Sequence, residues 1–457
     1  MNDITSLSVR AIAQKIKTRE LTSTAVVEAF LKRIAAVNPK LNAVVQLAGD
    51  QARKEAQRAD EELAAGKCRG PLHGVPMTIK DSFDSAGLVS AGGTLGRANT
   101  IPKKDATVVA RLKEHGAILL GKTNTSEFTL SYETANLVYG ASNNPYDLTR
   151  IPGGSSGGAA AIVAAGGSPF DIGTDYGGSL RYPAHCCGLA TLKPTSGRVP
   201  RTGHILPFGG VLDACQHVGP LTRSVEDLSL LFPLLAGPDG IDPGIIPAPI
   251  GDPEQVDIQA LKVAYHVDNG IVAPSDETAD AVRGAANLLA DRGLLVEEER
   301  PAGVERTYEI MMGLLAADGG ASIRRLLRDS GTTEHSIPWL KFASPTDFDS
   351  FDALMMDWAK FRSSMMAIFA NFDVILCPVN ALPAVHHGVL RDDLRAFSYS
   401  MSYNLTGFPV VVIRGGTSPE GLPIGIQIIA KPWHEEVALA VAAYLENALG
   451  PFDGPVL

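Results

Sequence analysis

Apolar residues recur at three-to-four spacing near the start of this chain, which predicts two helices over residues 5–37. Thr22 or Ser23 is expected to cap the second helix, and Asn38-Pro39 to end it. Farther along, short apolar segments alternate with helical patterns, which predicts an α/β architecture. The predicted strands lie at 75–80, 117–121, 261–265, 294–298, 373–377, 409–413 and 424–430, and the further predicted helices at 48–65, 107–115, 158–165, 225–235, 277–292 and 435–448.

Polar, glycine-rich turns are expected between residues 124 and 201, interrupted by the helix at 158–165. Proline, glycine and aspartate accumulate at 237–255, which predicts a linker or a long loop. No stretch reaches the roughly 18 apolar residues of a membrane span, and residues 1–10 lack the residue order of a signal peptide. The sequence therefore predicts neither a membrane span nor a secretory leader.

The composition is that of a globular protein with a sizeable core, with 45% hydrophobic and 20% charged residues. The length of 457 residues predicts one large domain or two to three smaller ones. The formal charge of −10 is spread along the chain and argues against a nucleic-acid partner, because such binding relies on clustered Lys and Arg. Five cysteines without a Cys-x-x-Cys spacing favour a reducing cytoplasm over a disulfide framework.

Methionine is concentrated late in the chain. Three adjacent pairs fall between residues 300 and 400, followed by Met401; the pairs are Met311-Met312, Met355-Met356 and Met365-Met366. The second and third pairs are about three helical turns apart, so they can share one face. One interpretation is that these side chains form helix core. The other is an adaptable apolar wall for a bulky substrate, because thioethers repack easily.

Serine and glycine are unusually dense in two neighbouring segments, Gly153–Gly158 and Gly173–Arg181, which contain Ser155, Ser156 and Ser179. Glycine loses backbone entropy on folding and packs no side chain, so such density indicates a geometric requirement. Hydroxyls among unhindered backbone N–H groups supply a nucleophile together with an anion-binding nest. The segments therefore predict hydrolysis of a carbonyl compound.

One interpretation makes Ser155 the nucleophile of a Ser-His-Asp esterase, since Gly153-x-Ser155-x-Gly157 fits the nucleophile elbow of α/β-hydrolases. The elbow needs a strand directly before the serine, and residues 143–152 contain two prolines and little β-character. None of the ten histidines stands in a recognisable catalytic setting. Dinucleotide, Walker and His-Glu-x-x-His motifs are missing as well, so neither a cofactor nor a catalytic metal is expected.

Lys80 is the alternative base. It ends an apolar strand that carries no compensating charge before Asp81. Burial there would favour the neutral amine, which can accept a proton. A lone lysine at the end of a strand is more commonly solvated than catalytic. Taken together with the three serines, however, Lys80 is better interpreted as a base.

Several long motifs, in order over nearly the whole chain, resemble the amidase signature family of Ser-cisSer-Lys hydrolases. They are Pro71-Leu72-His73-Gly74-Val75-Pro76-x-x-Ile79-Lys80-Asp81, the glycine-serine segments at 153–181, Lys193-Pro194-Thr195-x-Gly197-Arg198-Val199, Gly219-Pro220-Leu221-Thr222-Arg223 and Gly421-Leu422-Pro423-Ile424-Gly425-Ile426-Gln427. The resemblance implies a large mixed twisted β-sheet flanked by helices, with a variable helical cap. It divides the chain into core residues 1–240, a substrate-shaping region at 241–400, and residues 401–457 that complete the core.

The resemblance also implies a role for each residue. Ser179 takes the place of the nucleophile, Ser155 that of a bridging serine after a cis peptide bond, and Lys80 that of the base. The backbone N–H groups of an oxyanion hole would come from Tyr176, Gly177, Gly178 and Ser179. Supporting positions are Gly154, Ser156, Asp175 and Arg181, of which the last two are expected to brace the loop.

The implied activity is hydrolysis of uncharged aryl or alkyl amides, or of carbamates (urethanase-like) and esters, through an acyl-enzyme. Tyr176 stands where the family commonly has Thr or Ile, so it is expected to line the pocket. The partner is then a small-molecule amide or carbamate, and a homodimer is left open. A second candidate within the fold is the glutaminase component of a tRNA-dependent amidotransferase. A catalytically silent scaffold is disfavoured, because all three catalytic positions are present.

Overall fold

The computed structural model describes residues 4–211, 213–341, 343–390, 393–451 and 454–457. In these ranges the strands are β1 (Val44–Leu47), β2 (Pro76–Lys80), β3 (Ile118–Thr123), β4 (Ala135–Asn136), β5 (Gly140–Ala141), β6 (Phe170–Asp175), β7 (Ala190–Lys193), β8 (His217–Thr222), β9 (Lys262–Tyr265), β10 (Leu295–Glu298), β11 (Val374–Pro378), β12 (Val410–Thr417) and β13 (Pro423–Ala430).

The α-helices of the same ranges are α1 (Val9–Lys17), α2 (Ser23–Leu41), α3 (Gly49–Ala64), α4 (Thr107–Glu114), α5 (Gly157–Ala164), α6 (Arg181–Cys187), α7 (Val225–Leu235), α8 (Asp276–Asp291), α9 (Thr307–Ala316), α10 (Ala321–Asp329), α11 (Phe348–Met366), α12 (Ser398–Thr406) and α13 (Glu435–Leu449). Strands and helices alternate through much of the chain, which confirms the predicted α/β class.

All described strands except the β4–β5 pair join one sheet, in the order β1-β3-β2-β6-β8-β7-β12-β13-β11-β9-β10. The sheet is mixed: β2 runs parallel to β3 and β6, whereas β6, β8, β7, β12 and β13 pair antiparallel. Strands from 1–240, 241–400 and 401–457 all take part, so the middle region contributes to the core sheet as well as to the cap.

Helix α5 lies in the interior, and every one of its residues is buried. Its sequence is apolar on all sides, which is typical of a helix enclosed by protein. It packs against α2, α6 and β6. The helices α9, α11 and α12 pack on one another and form the helical cap.

The predicted end of α2 was wrong by two or three residues. Pro39 lies inside the helix, which continues to Leu41 and is closed by Asn42 in the left-handed conformation. At a helix end proline forfeits only its own N–H bond. The Asn38 side chain then accepts from the N–H groups of Ala43 and Val44, which satisfies the backbone beyond the last turn.

Residues 124–201 differ most from expectation, because β6, α6 and β7 lie where glycine-rich turns were predicted. The glycine of β6, Gly173, has no room for a side chain: a Cβ atom there would lie 2.7 Å from Ser156 Oγ. Close packing between sheet and interior helix therefore explains a glycine that the sequence pattern associates with a turn.

Candidate active site

Lys80 is the last residue of β2, and its side chain is completely buried. The adjacent parallel strand β6 ends at the same edge of the sheet, which brings Thr174 close to Lys80. Lys80 Nζ lies within hydrogen-bond distance of three hydroxyl oxygens, Ser155 Oγ at 2.7 Å, Thr174 Oγ1 at 2.8 Å and Ser156 Oγ at 2.9 Å. The structure thus brings together two of the three predicted catalytic residues around three hydroxyl groups.

Burial lowers the pKa of the Lys80 amine well below its usual value of 10.5. The negative charges of Asp175 and Asp171 act in the opposite direction but do not offset this effect. Asp171 lies on β6, where burial raises the pKa of its carboxyl to about 7 and Thr123 Oγ1 donates to it at 3.0 Å. The cluster therefore favours a neutral lysine, the protonation state that a base requires.

Ser155 and Ser156 directly precede α5, and the peptide bond between Gly154 and Ser155 is cis. The chain passes very close to a neighbouring loop at this point. A Cβ atom on Gly154 would lie 2.6 Å from the Tyr132 carbonyl carbon, so only glycine fits. Ser156, expected only to support the turn, bonds Lys80 directly.

Ser179 lies in the loop between β6 and α6 and borders a cavity, whereas Ser155 is fully buried behind it. The Ser156 N–H donates to the Ser179 carbonyl at 3.3 Å and so ties the two serine segments together. The described Ser155 and Ser179 hydroxyls do not hydrogen-bond to each other. Such contacts are often long in unliganded enzymes and tighten with substrate bound.

The loop before Ser179 carries the predicted oxyanion donors, and one of these N–H groups already donates to a side chain of the protein. The Gly178 N–H donates to Asp175 Oδ1 at 2.8 Å, so Gly178 does not belong in the predicted donor set. The N–H groups of Tyr176, Gly177 and Ser179 have no hydrogen-bond acceptor among the described residues. These three groups stay available beside the cavity.

Asp175 and Arg181 hold this loop from within the protein. Both side chains are completely buried, and Arg181 Nη2 lies 2.9 Å from Asp175 Oδ1. Burial acts to raise the pKa of the Asp175 carboxyl, but the charge of Arg181 and the hydrogen bonds from Arg181 and Asn404 together outweigh it and lower that pKa. Asp175 Oδ2 also accepts from the Leu180 N–H at 3.1 Å. Arg181 donates further to the Ser400 carbonyl and the Gln427 side chain, so it does not face a substrate.

Replacing Arg181 with alanine is expected to destabilise the fold by about 3–5 kcal/mol, because Asp175 would remain buried without its counter-charge. Urea unfolding followed by fluorescence measures the loss. The matched variant Arg53→Ala removes an arginine whose carboxylate partners are solvent-exposed, and should cost less than about 1 kcal/mol. Equal losses for both variants would contradict the bracing role of Arg181.

The cavity beside Ser179 has a volume of about 350 Å³ and is largely apolar. Every described residue that lines it is uncharged. Aromatic rings and thioethers contribute to the wall, and Tyr176 is among them as expected: Tyr132, Tyr176, Tyr308, Trp339, Met311, Met312 and Met401. Such a lining suits an uncharged, bulky group.

The methionines were interpreted either as helix core or as a wall for the substrate, and each interpretation holds for some of them. Met311, Met312 and Met401 line the cavity. Met365 is buried in the core, while Met356 and Met366 on α11 are 56% and 41% exposed, so the second and third pairs do not form a common buried face. Sequence spacing could place these residues on helices but could not orient the helices toward the cavity.

Sequence reasoning missed Thr174 and Tyr132. Thr174 directly precedes Asp175 within the glycine-rich segment. If a strand had been predicted to end there, Thr174 would have been a candidate for a third hydroxyl group in contact with Lys80. Tyr132 belongs to a loop without periodicity, and no sequence signal points to it.

The match to known proteins agrees with the fold. Residues 25–439 match the family model described as Amidase, which defines the chain as a hydrolase of carbon–nitrogen bonds. The chain belongs to the amidase signature family, as its motifs predicted. The esterase alternative is wrong, because the fold is that of the amidases and Ser155 Oγ contacts Lys80 rather than any described histidine.

Individual relatives cover nearly the whole chain. Fatty-acid amide hydrolase 2-B of Danio rerio is 34% identical over 99% of this chain and 91% of that protein. The A component of the glutamyl-tRNA(Gln) amidotransferase of Heliobacterium modesticaldum is 33% identical over 94% of both chains. A solved bacterial aryl acylamidase of the amidase signature family has a TM-score of 0.85 at 26% identity, covering 97% of this chain and 96% of that one.

Among the described residues, no helix has the length and apolar character needed to cross a membrane.

Proposed function

We propose that this protein hydrolyses uncharged aryl or alkyl amides through an acyl-enzyme on Ser179, with Lys80 as base and Ser155 as the proton relay. The observation that carries the proposal is the contact between Ser155 and the buried Lys80, whose pKa is lowered by burial, next to an uncharged cavity that Ser179 borders. Among the described residues Lys80 Nζ hydrogen-bonds to hydroxyl groups and to no carboxylate, and the more distant charges of Asp175 and Asp171 do not offset the effect of burial on its pKa.

The first half of the reaction forms the acyl-enzyme. Neutral Lys80 takes a proton from Ser155, and Ser155 takes one from Ser179 as its oxygen attacks the substrate carbonyl. The N–H groups of Tyr176, Gly177 and Ser179 stabilise the resulting oxyanion. As the tetrahedral intermediate collapses, the C–N bond breaks and the relay returns the proton to the leaving nitrogen.

The second half releases the acid. Water attacks the acyl carbon and passes a proton through Ser155 to Lys80, and the Ser179 oxygen leaves with a proton returned by the same relay. Nothing in these steps is specific to nitrogen as the leaving atom. Carbamates and esters of similar shape are therefore further substrates in this proposal.

The apolar cavity favours substrates with a neutral, bulky group beside the scissile bond. Aromatic and thioether side chains pack against rings and alkyl chains at low cost. The likeness to a bacterial aryl acylamidase supports an aryl amide in particular.

A second candidate is glutaminase activity as one component of an amidotransferase, which the 33% identity to such a component favours. Free glutamine carries an α-ammonium and an α-carboxylate group. Burying such charges requires partners, and the described cavity wall offers no charged side chain. We therefore rank this candidate second.

A reducing, cytoplasmic location is part of the proposal and rests on cysteine usage. All five cysteines are free thiols, and four of them are buried.

A substrate panel combined with active-site labelling tests the proposal. We expect aryl amides and carbamates to be hydrolysed faster than glutamine, and a fluorophosphonate to label Ser179 in peptide mass spectrometry. Glutamine hydrolysis that exceeds every aryl amide and rises with tRNA and a partner protein would favour the second candidate. A label on Ser155 would contradict the assigned roles.

A further inference from the structure

The carbonyl group of Gly177 is held by two side-chain hydroxyls from distant parts of the chain. Tyr132 Oη, in the loop before β4, donates to the Gly177 oxygen at 2.9 Å. Ser400 Oγ, on α12 of the cap, lies 2.9 Å from the same oxygen and 3.0 Å from the Phe397 carbonyl oxygen, so these two acceptors share its single proton. On the far side of this peptide unit the Gly178 N–H donates to Asp175 Oδ1. Both ends of the 177–178 peptide group are thus fixed.

The glycines at 177 and 178 are explained by these hydroxyls. A Cβ atom on Gly177 would lie 2.5 Å from Tyr132 Oη, and one on Gly178 would overlap Ser400 Oγ. Gly178 also has a φ of +125°, which side-chain-bearing residues rarely adopt. The two hydroxyls and the backbone therefore approach each other as closely as glycine allows.

The Tyr132 ring is itself held in place. It stacks on Phe397, with ring centroids 3.6 Å apart and an angle of 10° between the planes. Burial raises the pKa of the Tyr132 phenol, so its hydroxyl keeps its proton and remains a donor. Ser400 is oriented in turn by Arg181, which donates to the Ser400 carbonyl at 2.9 Å.

We propose that Tyr132 and Ser400 are positioning residues that hold the Gly177 carbonyl, and so keep the N–H groups of Gly177 and Ser179 unpaired beside the cavity. This rests on the proposed nucleophile Ser179 and adds the device that orients its loop. Rotation of a peptide unit moves its neighbours, so release of this carbonyl would misplace the donors on either side. Pre-oriented donors of this kind contribute strongly to the stabilisation of a developing oxyanion.

The two hydroxyls share one acceptor, so their loss should not be additive. Tyr132→Phe keeps the ring and its stacking, and Ser400→Ala keeps the helix. Each is expected to lower kcat about 3- to 10-fold, the usual effect of one hydrogen bond. The double variant leaves the carbonyl without either donor and is expected to lose more than the product of the two single losses, about 300-fold or more. KM should change by less than about twofold, because the cavity wall is retained.

Two matched variants control for the loss of a buried hydroxyl. Tyr399→Phe removes a phenol that donates to the carbonyls of Val267 and Val272, away from the loop. Ser402→Ala removes a hydroxyl two residues beyond Ser400 that bonds Ser398 and Thr307. Both are expected to keep kcat within about twofold of wild type, even if the thermal midpoint falls.

The test measures kcat, KM and the affinity for a trifluoromethyl ketone, using the best substrate of the panel. That ketone forms a tetrahedral oxyanion adduct with a serine, so its affinity should fall by the same factor as kcat/KM. Wild-type kcat in the double variant, a loss confined to KM, or equal losses in the two control variants would overturn the inference. Substantial activity of Ser179→Ala would instead overturn the proposed function, so the two failures are distinguishable.

Discussion

Ser179→Ala is expected to lower kcat/KM by about four orders of magnitude or more, to the level left by binding and the remaining N–H donors. The hydroxyl borders the cavity, whereas Ser155 Oγ is fully buried and bonded to Lys80, so no other serine of the cluster can reach a substrate carbon without rearrangement. Removal of this oxygen therefore removes the covalent step itself. Steady-state kinetics on the best amide of the panel measures the loss.

Variants at two other serines are compared with Ser179→Ala. Ser155→Ala should reduce activity severely while Ser179 can still be labelled slowly, because the relay is lost but the nucleophile remains. Ser168→Ala removes a buried hydroxyl at the opposite end of β6, bonded to the Phe170 carbonyl, and should leave kcat unchanged. Activity above about one per cent in Ser179→Ala would exclude its role as nucleophile.

Lys80→Met is expected to lower kcat/KM by about 100- to 10,000-fold and to abolish its dependence on the lysine titration. Burial is the largest influence on the pKa of this amine, and it favours the uncharged form. In wild type, kcat/KM should rise as the pH increases through the lowered pKa of Lys80 and reach a plateau below the usual 10.5. Activity is thus lost as the pH falls, because protonation removes the base.

Lys122→Met is the matched control, since Lys122 is a second completely buried lysine on the neighbouring strand β3. Its Nζ lies 3.3 Å from Asp81 Oδ1, and its loss leaves that carboxylate unpaired. We expect this variant to unfold at lower urea concentration and to retain the rising limb of the pH profile. A rising limb that survives in Lys80→Met would contradict a lysine base.

Much of the fold followed from local patterns. The helix α7 has the bounds that periodicity predicted, and α3, α8 and α13 differ by one or two residues. These segments are amphipathic or flanked by clear breakers, so local signals suffice. The strands β6, β7 and β8 had no such signal, because glycine and polar residues in them serve close packing and the site rather than alternation.

The candidate site, like the fold, could be predicted from the sequence only in part. Motif order identified Lys80, Ser155 and Ser179, and the contact between Lys80 and Ser155 agrees with that selection. It could not show that Gly178 donates to Asp175, since a backbone N–H looks alike at every position of a sequence. Nor could it find Thr174, Tyr132 or Ser400, whose chemistry depends on partners elsewhere along the chain.

The sequence alone determined the α/β class and the family, and it supplied the residues that we propose as the reactive groups, because periodicity and motif order are local properties of the chain. Only the tertiary structure decided which methionines line the cavity, which N–H groups remain free among the described residues and why the pKa of Lys80 is lowered. Each of these depends on burial and on neighbours that are distant in sequence. The serine and glycine segments supply the groups, and the packing of β2, β6, α5 and the cap around them sets their protonation and orientation.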